Sequence, residues 1–396
     1  MNTRQDYVEK LLAYLNMPLI KILAGIRRCG KSTILEMFKD ELLQRAIKPD
    51  HIIHISYTEF EHQLDSAKEM YTEIKKLMHD NDKYYLLLDE VQEIPDWEKT
   101  INALLEEKNT DIYVTGSNSK LMSSEISTYL TGRYVSIPVF TLSFKEYIDF
   151  KKAENKTTTE LFNDFIRFGG FPLIASNIYD EQTAYQIVQD IFSSVVMNDI
   201  AKRHIIKNID MFRRVTSFVI ENTGKTFSAN NIANFLKNEG RSISVEAVYN
   251  YLEWLEKAFV IYRCSRYDLQ GKAVLKTQEK FYIADTSLKY ALFGYNPMSI
   301  AAMLENLVYF HLKRNNYTVY IGKLGDKEID FVATKASEKI YIQVCKEMPQ
   351  NSEREIKNLL AIKDNYPTII LTLDPFAVGT VDGVQIINLI DFLLSN

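Results

Sequence analysis

One eight-residue run limits the fold more than any other feature: Gly25-Ile26-Arg27-Arg28-Cys29-Gly30-Lys31-Ser32, followed by Thr33. It fits the pattern G-x-x-x-x-G-K-[ST] without a mismatch. It follows the apolar run Leu19–Leu23 and opens a helical pattern over Thr33–Leu43, so it joins a strand to a helix. Glycines let such a loop wrap a phosphate with its backbone N–H groups, and the helix N-terminus adds partial positive charge. Gly25, Arg28, Gly30, Lys31, Ser32 and Thr33 are therefore the candidate phosphate-binding residues. Lys31 can reach β- and γ-phosphates, and the Ser32 hydroxyl can ligate Mg²⁺.

A second run completes the expectation. Tyr84-Tyr85-Leu86-Leu87-Leu88 ends in Asp89-Glu90. An apolar strand followed by two acids puts both carboxylates at the strand's C-terminal edge, where α/β sheets bind ligands. Asp89 is the expected partner of Mg²⁺ and Glu90 the group that directs the attacking water, which makes the pair a site for hydrolysing a nucleoside triphosphate. The next strand, Ile112–Thr115, leads into Gly116-Ser117-Asn118-Ser119. Asn118, or else Ser117, is the candidate contact to the γ-phosphate or the water. Arg133, after Leu130-Thr131-Gly132, is a candidate for stabilising phosphoryl charge, in its own site or in a neighbour's.

The 396 residues suggest two or three domains. With 46% hydrophobic and 25% charged residues, the chain is neither disordered nor low in complexity. Its 47 Lys+Arg and 52 Asp+Glu give a net charge of -5, so only a local basic face could meet nucleic acid. Cys29, Cys264 and Cys345 form neither a disulfide framework nor a CxxC site, and a cytoplasmic setting is expected. The six histidines show no metal-ligand spacing with acids, so no zinc site is expected. The start has no apolar signal region, and no run is long enough to span a membrane.

Strand-like runs alternate with helical patterns from about residue 17 to 140, the mark of a parallel α/β sheet. GIRRCGKS, the LLLDE strand, TGSNS, LTGR, PVFTLSFKEY at Pro138–Tyr147 and FGGFP at Phe168–Pro172 together resemble a bacterial and archaeal branch of the AAA-type P-loop ATPases. That branch carries a C-terminal restriction-endonuclease-like domain of unknown function, often after a winged helix. The resemblance implies ATP and Mg²⁺ as cofactors, a P-loop strand at the centre of the sheet, and Asn118 as sensor. The expected α/β architecture is a P-loop NTPase core over 1–140, a helical lid over 141–204, a winged helix over 205–295 and a restriction-endonuclease-like domain over 296–396.

The winged helix is also legible from the residues. Ser228 and Ser244 are plausible N-caps of two amphipathic helices, and Phe259–Cys264 and Glu279–Ile283 read as a two-stranded wing. Residues 257–289 hold seven Lys/Arg against three Asp/Glu, a basic region that could meet DNA, with packing or protein contact as the equal alternative. In the C-terminal domain the resemblance matches Glu305 to a helix acid and Asp330 to a strand acid. Gln343 stands in the second strand-acid position and Cys345 in the lysine position. Glu328 or Lys346 could compensate, but an amide is a poor metal ligand, and no nuclease activity is expected. The functional expectation is Mg²⁺-dependent ATP hydrolysis that moves the later domains in a nucleic-acid-associated protein. Its rivals are a switch read by a protein partner and an ATP-gated nuclease. A homo-oligomer is compatible with either role for Arg133.

Overall fold

The computed structural model describes residues 4–395 apart from 63, 119–120, 122–129, 131, 153, 203, 205 and 349–352. The chain divides into two compact units: residues 1–141 with 257–259, and residues 142–256 with 260–396.

In the first unit the apolar runs become β1 (Ile20–Ala24), β2 (Ile52–Ser56), β3 (Tyr84–Asp89), β4 (Thr110–Gly116) and β5 (Tyr134–Pro138). Among the described residues they form one parallel sheet in the order β2-β3-β4-β1-β5. Every residue of β1, β3 and β4 is buried. These central strands are covered on both faces, which is why their sequences run apolar instead of alternating. Helices Lys31–Gln44 and Trp97–Glu106 bury Ile34, Leu35, Phe38, Trp97, Ile101 and Leu104. The Phe38 ring meets Tyr113 of β4 at 4.5 Å. One polar exception is Lys21, buried in β1 and ion-paired with Asp111 of β4. The same carboxylate accepts from the Asn16 N–H at 2.8 Å and the Tyr113 hydroxyl at 3.0 Å, so the buried charges are hydrogen-bonded as well as paired.

The second unit differs from the expected chain of separate modules. Its strands are β6 (Thr226–Phe227), β7 (Ile261–Asp268), β8 (Ala273–Ile283), β9 (Thr318–Leu324), β10 (Lys327–Lys335), β11 (Glu338–Cys345), β12 (Thr368–Thr372), β13 (Gly379–Val381) and β14 (Val384–Asn388). Among the described residues they make one mixed sheet in the order β13-β14-β12-β11-β10-β9-β7-β8-β6. The expected wing, β7 and β8, therefore continues the sheet of the expected C-terminal domain, through parallel pairs such as Arg266↔Ile321. The physical reason is the length of β7. It runs on to Asp268, four residues past the apolar stretch, and its far half pairs with β9. The two helices before it, Ala229–Asn238 and Val245–Lys257, start where expected, with Ser228 Oγ accepting from the Asn231 N–H and Ser244 Oγ from the Ala247 N–H.

The Phe168–Pro172 motif has a packing role in this unit. Gly169 ends helix Thr158–Phe168 at φ 72°, and a Cβ there would stand 1.7 Å from Asp285 Oδ1. The Gly170 N–H donates to Asp285 Oδ2 at 2.8 Å. Asp285 also caps the helix Thr286–Phe293 by accepting from the Ser287 N–H, so one buried carboxylate ties the two helix ends together.

Candidate nucleotide site

The site is built at the C-terminal edge of the parallel sheet. β1 ends at Ala24 and hands over to Gly25, where a Cβ would meet the Val139 carbonyl oxygen at 1.9 Å, so only glycine fits. The loop then turns through Gly30 at φ 98°, and the helix Lys31–Gln44 begins. Arg28 and Thr33 are exposed, and Gly30 is half-buried. Cys29 lies under the loop, with its thiol against the Val139 carbonyl at 3.4 Å and its own carbonyl accepting from Arg4. Burial pushes that thiol up, which keeps it protonated and unsuited to a redox role.

Lys31 is buried and folds back over the loop. Its ammonium donates to the Gly25 carbonyl at 3.1 Å and stands 3.4 Å from Glu90 Oε1. Burial disfavours its charge, but Glu90 chiefly, with Asp89, outweighs burial and holds it above its ordinary range. Asp89 moves up because burial penalises the carboxylate, partly offset by hydrogen bonds from Thr115 and Ser32. For Glu90 burial acts the same way, yet Lys31, Gln92 and Arg27 together outweigh it and hold the carboxyl below its usual range. Two adjacent acids are thus driven apart by their surroundings.

Two positioning residues escaped the sequence reading. Thr115 ends up level with Asp89 because Leu88 pairs with Val114. Its hydroxyl donates to Asp89 Oδ1 and accepts from the Glu90 N–H at 2.9 Å, so one side chain fixes both acids. Gln92, in the short turn Val91–Glu93, donates its amide to Glu90 Oε2. Glu90 itself is held at φ 54°, an uncommon conformation for a non-glycine residue. The parallel register could have flagged Thr115; nothing in the sequence marks Gln92.

Asn118 and Ser117 are buried two residues or fewer beyond β4, on the same sheet edge as Asp89. Arg133 is not brought to this edge. It precedes Tyr134, which pairs with Ile20 at the start of β1, and the phosphate loop leaves the other end of that strand. Its guanidinium pairs with Glu106 at 2.5 Å. A role on its own chain's phosphates is thereby excluded, because the length of β1 separates them.

The comparisons extend this reading. Residues 18–148 match the family model described as an AAA domain, and 159–299 match a domain of unknown function, DUF8612. A Haemophilus influenzae protein, described only as uncharacterized, is 37% identical over 398 residues, covering 100% of this chain and 99% of its own. The uncharacterized protein MJ1544 of Methanocaldococcus jannaschii is 32% identical over 87% of this chain and 79% of its own. The chain belongs to their family. The Walker-type ATPase PABY2304 of Pyrococcus abyssi shares the fold, with TM-score 0.52 and 19% identity over 74% of this chain and 96% of that one. The candidate site just described lies within the residues that match the AAA domain, in a fold shared with a Walker-type ATPase.

Two further expectations concern the second unit. The first is the lysine missing from the position of Cys345. A lysine does reach the acids, from the wing strand β8. Lys280 is buried, 2.9 Å from Glu328 Oε1, 3.1 Å from Glu305 Oε2 and 3.8 Å from Asp330 Oδ1. Neither Lys346, which pairs with its neighbour Glu347, nor Cys345 does so. Gln343 braces the site: its carbonyl accepts from the Asp330 N–H at 2.6 Å and its amide donates to Glu355 at 2.6 Å. Burial chiefly, with Glu305 and Glu328, pushes the Asp330 carboxyl up to about 8 against the pull of Lys280. These groups do not fit a resident metal ion. The ammonium of Lys280 already stands among the carboxylates, and among the described residues Glu305, Glu328 and Asp330 do not converge as closely as a shared ion needs.

The second is the basic region 257–289. Arg263 is clamped by Glu256 and Glu279, Arg266 by Glu328 and Gln278, and Lys280 by the acids just named. Lys289 donates to the Glu221 carbonyl at 2.7 Å. Among the described residues, Arg263, Arg266 and Lys280 are thus ion-paired inside the unit and Lys289 is bonded to a backbone carbonyl, so these four are not freely presented for DNA.

One constellation has no sequence spacing to announce it. His51, Asp80 and Asp82 come within ligand reach of one another, with His51 Nε2 at 3.2 Å from Asp80. Lys48 pairs with Asp82 at 3.5 Å and offsets part of their charge. Among the described residues no helix is long and apolar enough to cross a membrane.

Proposed function

We propose that the chain binds ATP with Mg²⁺ and hydrolyses it, and that a protein partner reads its nucleotide state. The observation that carries the reading is the joint placement of Lys31 and the Asp89–Glu90 pair on one sheet edge, with Thr115 fixing both acids. Ser32 and Asp89 are hydrogen-bonded to each other and offer the hydroxyl and carboxylate oxygens that a hard cation takes. When bound there, Mg²⁺ would neutralise charge on the phosphate oxygens.

In this reading Lys31 holds the β- and γ-phosphates and Glu90 accepts a hydrogen bond from the attacking water. Asn118 senses the γ-phosphate. Arg133 contributes only in a homo-oligomer that brings it to a neighbouring copy's nucleotide. The later residues, whose strands β6–β14 form one sheet, respond to the nucleotide as a joined unit and not as separate lid, winged-helix and restriction-endonuclease-like modules.

The partner reading is favoured over nucleic-acid association because Arg263, Arg266, Lys280 and Lys289 are committed within the protein. An ATPase assay with Mg²⁺, with and without single- and double-stranded DNA, tests it. Mg²⁺-dependent turnover unchanged by DNA is expected. DNA-stimulated turnover would restore the nucleic-acid reading, and absence of turnover would overturn hydrolysis.

A further inference from the structure

A different stretch carries unspent positive charge. Residues 202–214 hold five Lys/Arg against one acid, Asp210. Asp210 is taken by Arg214 at 3.2 Å and Arg241 at 2.6 Å. Among the described residues the charged ends of Lys202, Lys207 and Arg213 have no acidic partner, in a protein whose other cations are widely paired. Lys202 and Arg213 flank a cavity of about 430 Å³ whose other walls include Met197, His204, Ile206 and Ile209. Met197 is 55% exposed and Ile209 40%. The cavity sits where the π-helical turn Val195–Ala201 ends and the helix Ile209–Glu221 begins. Such turns recur at functional sites.

We propose that this cavity docks an acidic amphipathic segment of a partner protein. An apolar side chain of the segment enters between Met197, Ile206 and Ile209, and flanking carboxylates meet Lys202, Lys207 and Arg213. The apolar walls with a charged rim match the anatomy of protein interfaces, where methionine adapts to varied side chains. Single-stranded nucleic acid fits less well, because base binding needs open aromatic faces. His204 is the aromatic group among the lining residues, and Trp254 covers one of its faces at 4.5 Å and 12°. The inference rests on the partner-reading function above and names the chemistry of that partner.

The stack supplies the readout. The chain has two tryptophans, and Trp97 is buried in the other unit, so a change in emission on docking reports Trp254. Full-length protein is titrated, with and without ATP, with a short peptide of Glu, Leu and Phe at amphipathic helical spacing. A polyglutamate of equal charge and an oligothymidylate are titrated alongside. Saturable binding of the amphipathic peptide is expected, with polyglutamate and oligothymidylate weaker. The double substitution Lys202→Glu, Arg213→Glu is expected to weaken it about tenfold or more, since like charges then face each other. Met197→Lys should weaken it with the melting temperature unchanged, which separates docking from folding. No binding by the wild type, equal binding of polyglutamate, tighter binding of oligothymidylate, or an affinity unmoved by the charge reversals would each overturn the proposal. Because the peptide is also titrated without nucleotide, a chain that fails to hydrolyse ATP still reports on the docking site.

Discussion

The Glu90 carboxylate stands 3.4 Å from the Lys31 ammonium, so the group assigned to water and the group assigned to phosphate are paired with each other. In the proposed reading, a phosphate arriving at Lys31 would compete with Glu90 for that ammonium, and by displacing the carboxylate it would release it toward the water. On that proposal, nucleotide binding and the arming of the hydrolytic group would be one exchange of partners.

Lys31→Ala and Glu90→Gln should therefore separate. A charge-assisted hydrogen bond contributes roughly 1.5–3 kcal/mol, so losing Lys31 should weaken ATP binding by about tenfold or more. Glu90→Gln removes the competitor for Lys31, so binding should hold or tighten while turnover falls. Calorimetry and steady-state turnover on both variants decide this; equal loss of binding in the two would contradict the assigned roles.

Thr115→Val keeps the shape but removes a hydroxyl that serves both acids. It leaves the Glu90 N–H without its partner, a loss of about 1–3 kcal/mol for a buried donor. Turnover should fall about tenfold with ATP affinity nearly unchanged, and Thr115→Ser should recover most of it. A fall in affinity equal to the fall in turnover would show that Thr115 supports the fold and not the orientation of the acids.

Asp89 is held above its ordinary range because burial disfavours its charge, so at neutral pH the carboxylate costs the protein stability. Asp89→Asn should raise the melting temperature by about 2–4 °C per kcal/mol recovered, while Mg²⁺-dependent turnover is lost. A lower melting temperature would mean that the hydrogen bonds from Thr115 and Ser32 outweigh burial.

The acidic cluster around Lys280 predicts a pH effect of known sign. Asp330, raised to about 8 by burial and by Glu305, holds its proton in the folded chain where the unfolded chain, near pH 4, has lost it. The folded state then binds more protons, so stability falls as pH rises from about 4 to about 8. Asp330→Asn should flatten that slope in urea unfolding. No cleavage of linear, supercoiled or branched DNA is expected with Mg²⁺ or Mn²⁺, with or without ATP. Cutting by the wild type that Asp330→Ala abolishes would show that the site takes a metal ion despite Lys280.

The sequence alone determined what depends on neighbours in the chain. A loop of fixed spacing between an apolar strand and a helix, and two acids closing another buried strand, specify a parallel sheet and its ligand edge, because strand direction and edge follow from local order. Tertiary pairing decided the rest. Arg133 looked close to the site by its place after Thr115 and Gly116, but the register of Tyr134 on Ile20 sends it to the far edge. Thr115 became a positioning residue only when β4 lay level with β3. The positive excess of 257–289 was a count along the chain, whereas only the fold brings Glu256, Glu328 and Glu305 to Arg263, Arg266 and Lys280. Lys280 reaches Asp330 from fifty residues away because a long strand joined two expected domains into one sheet. Charge partners separated in sequence are set by packing, and composition cannot reveal which cations remain unpaired.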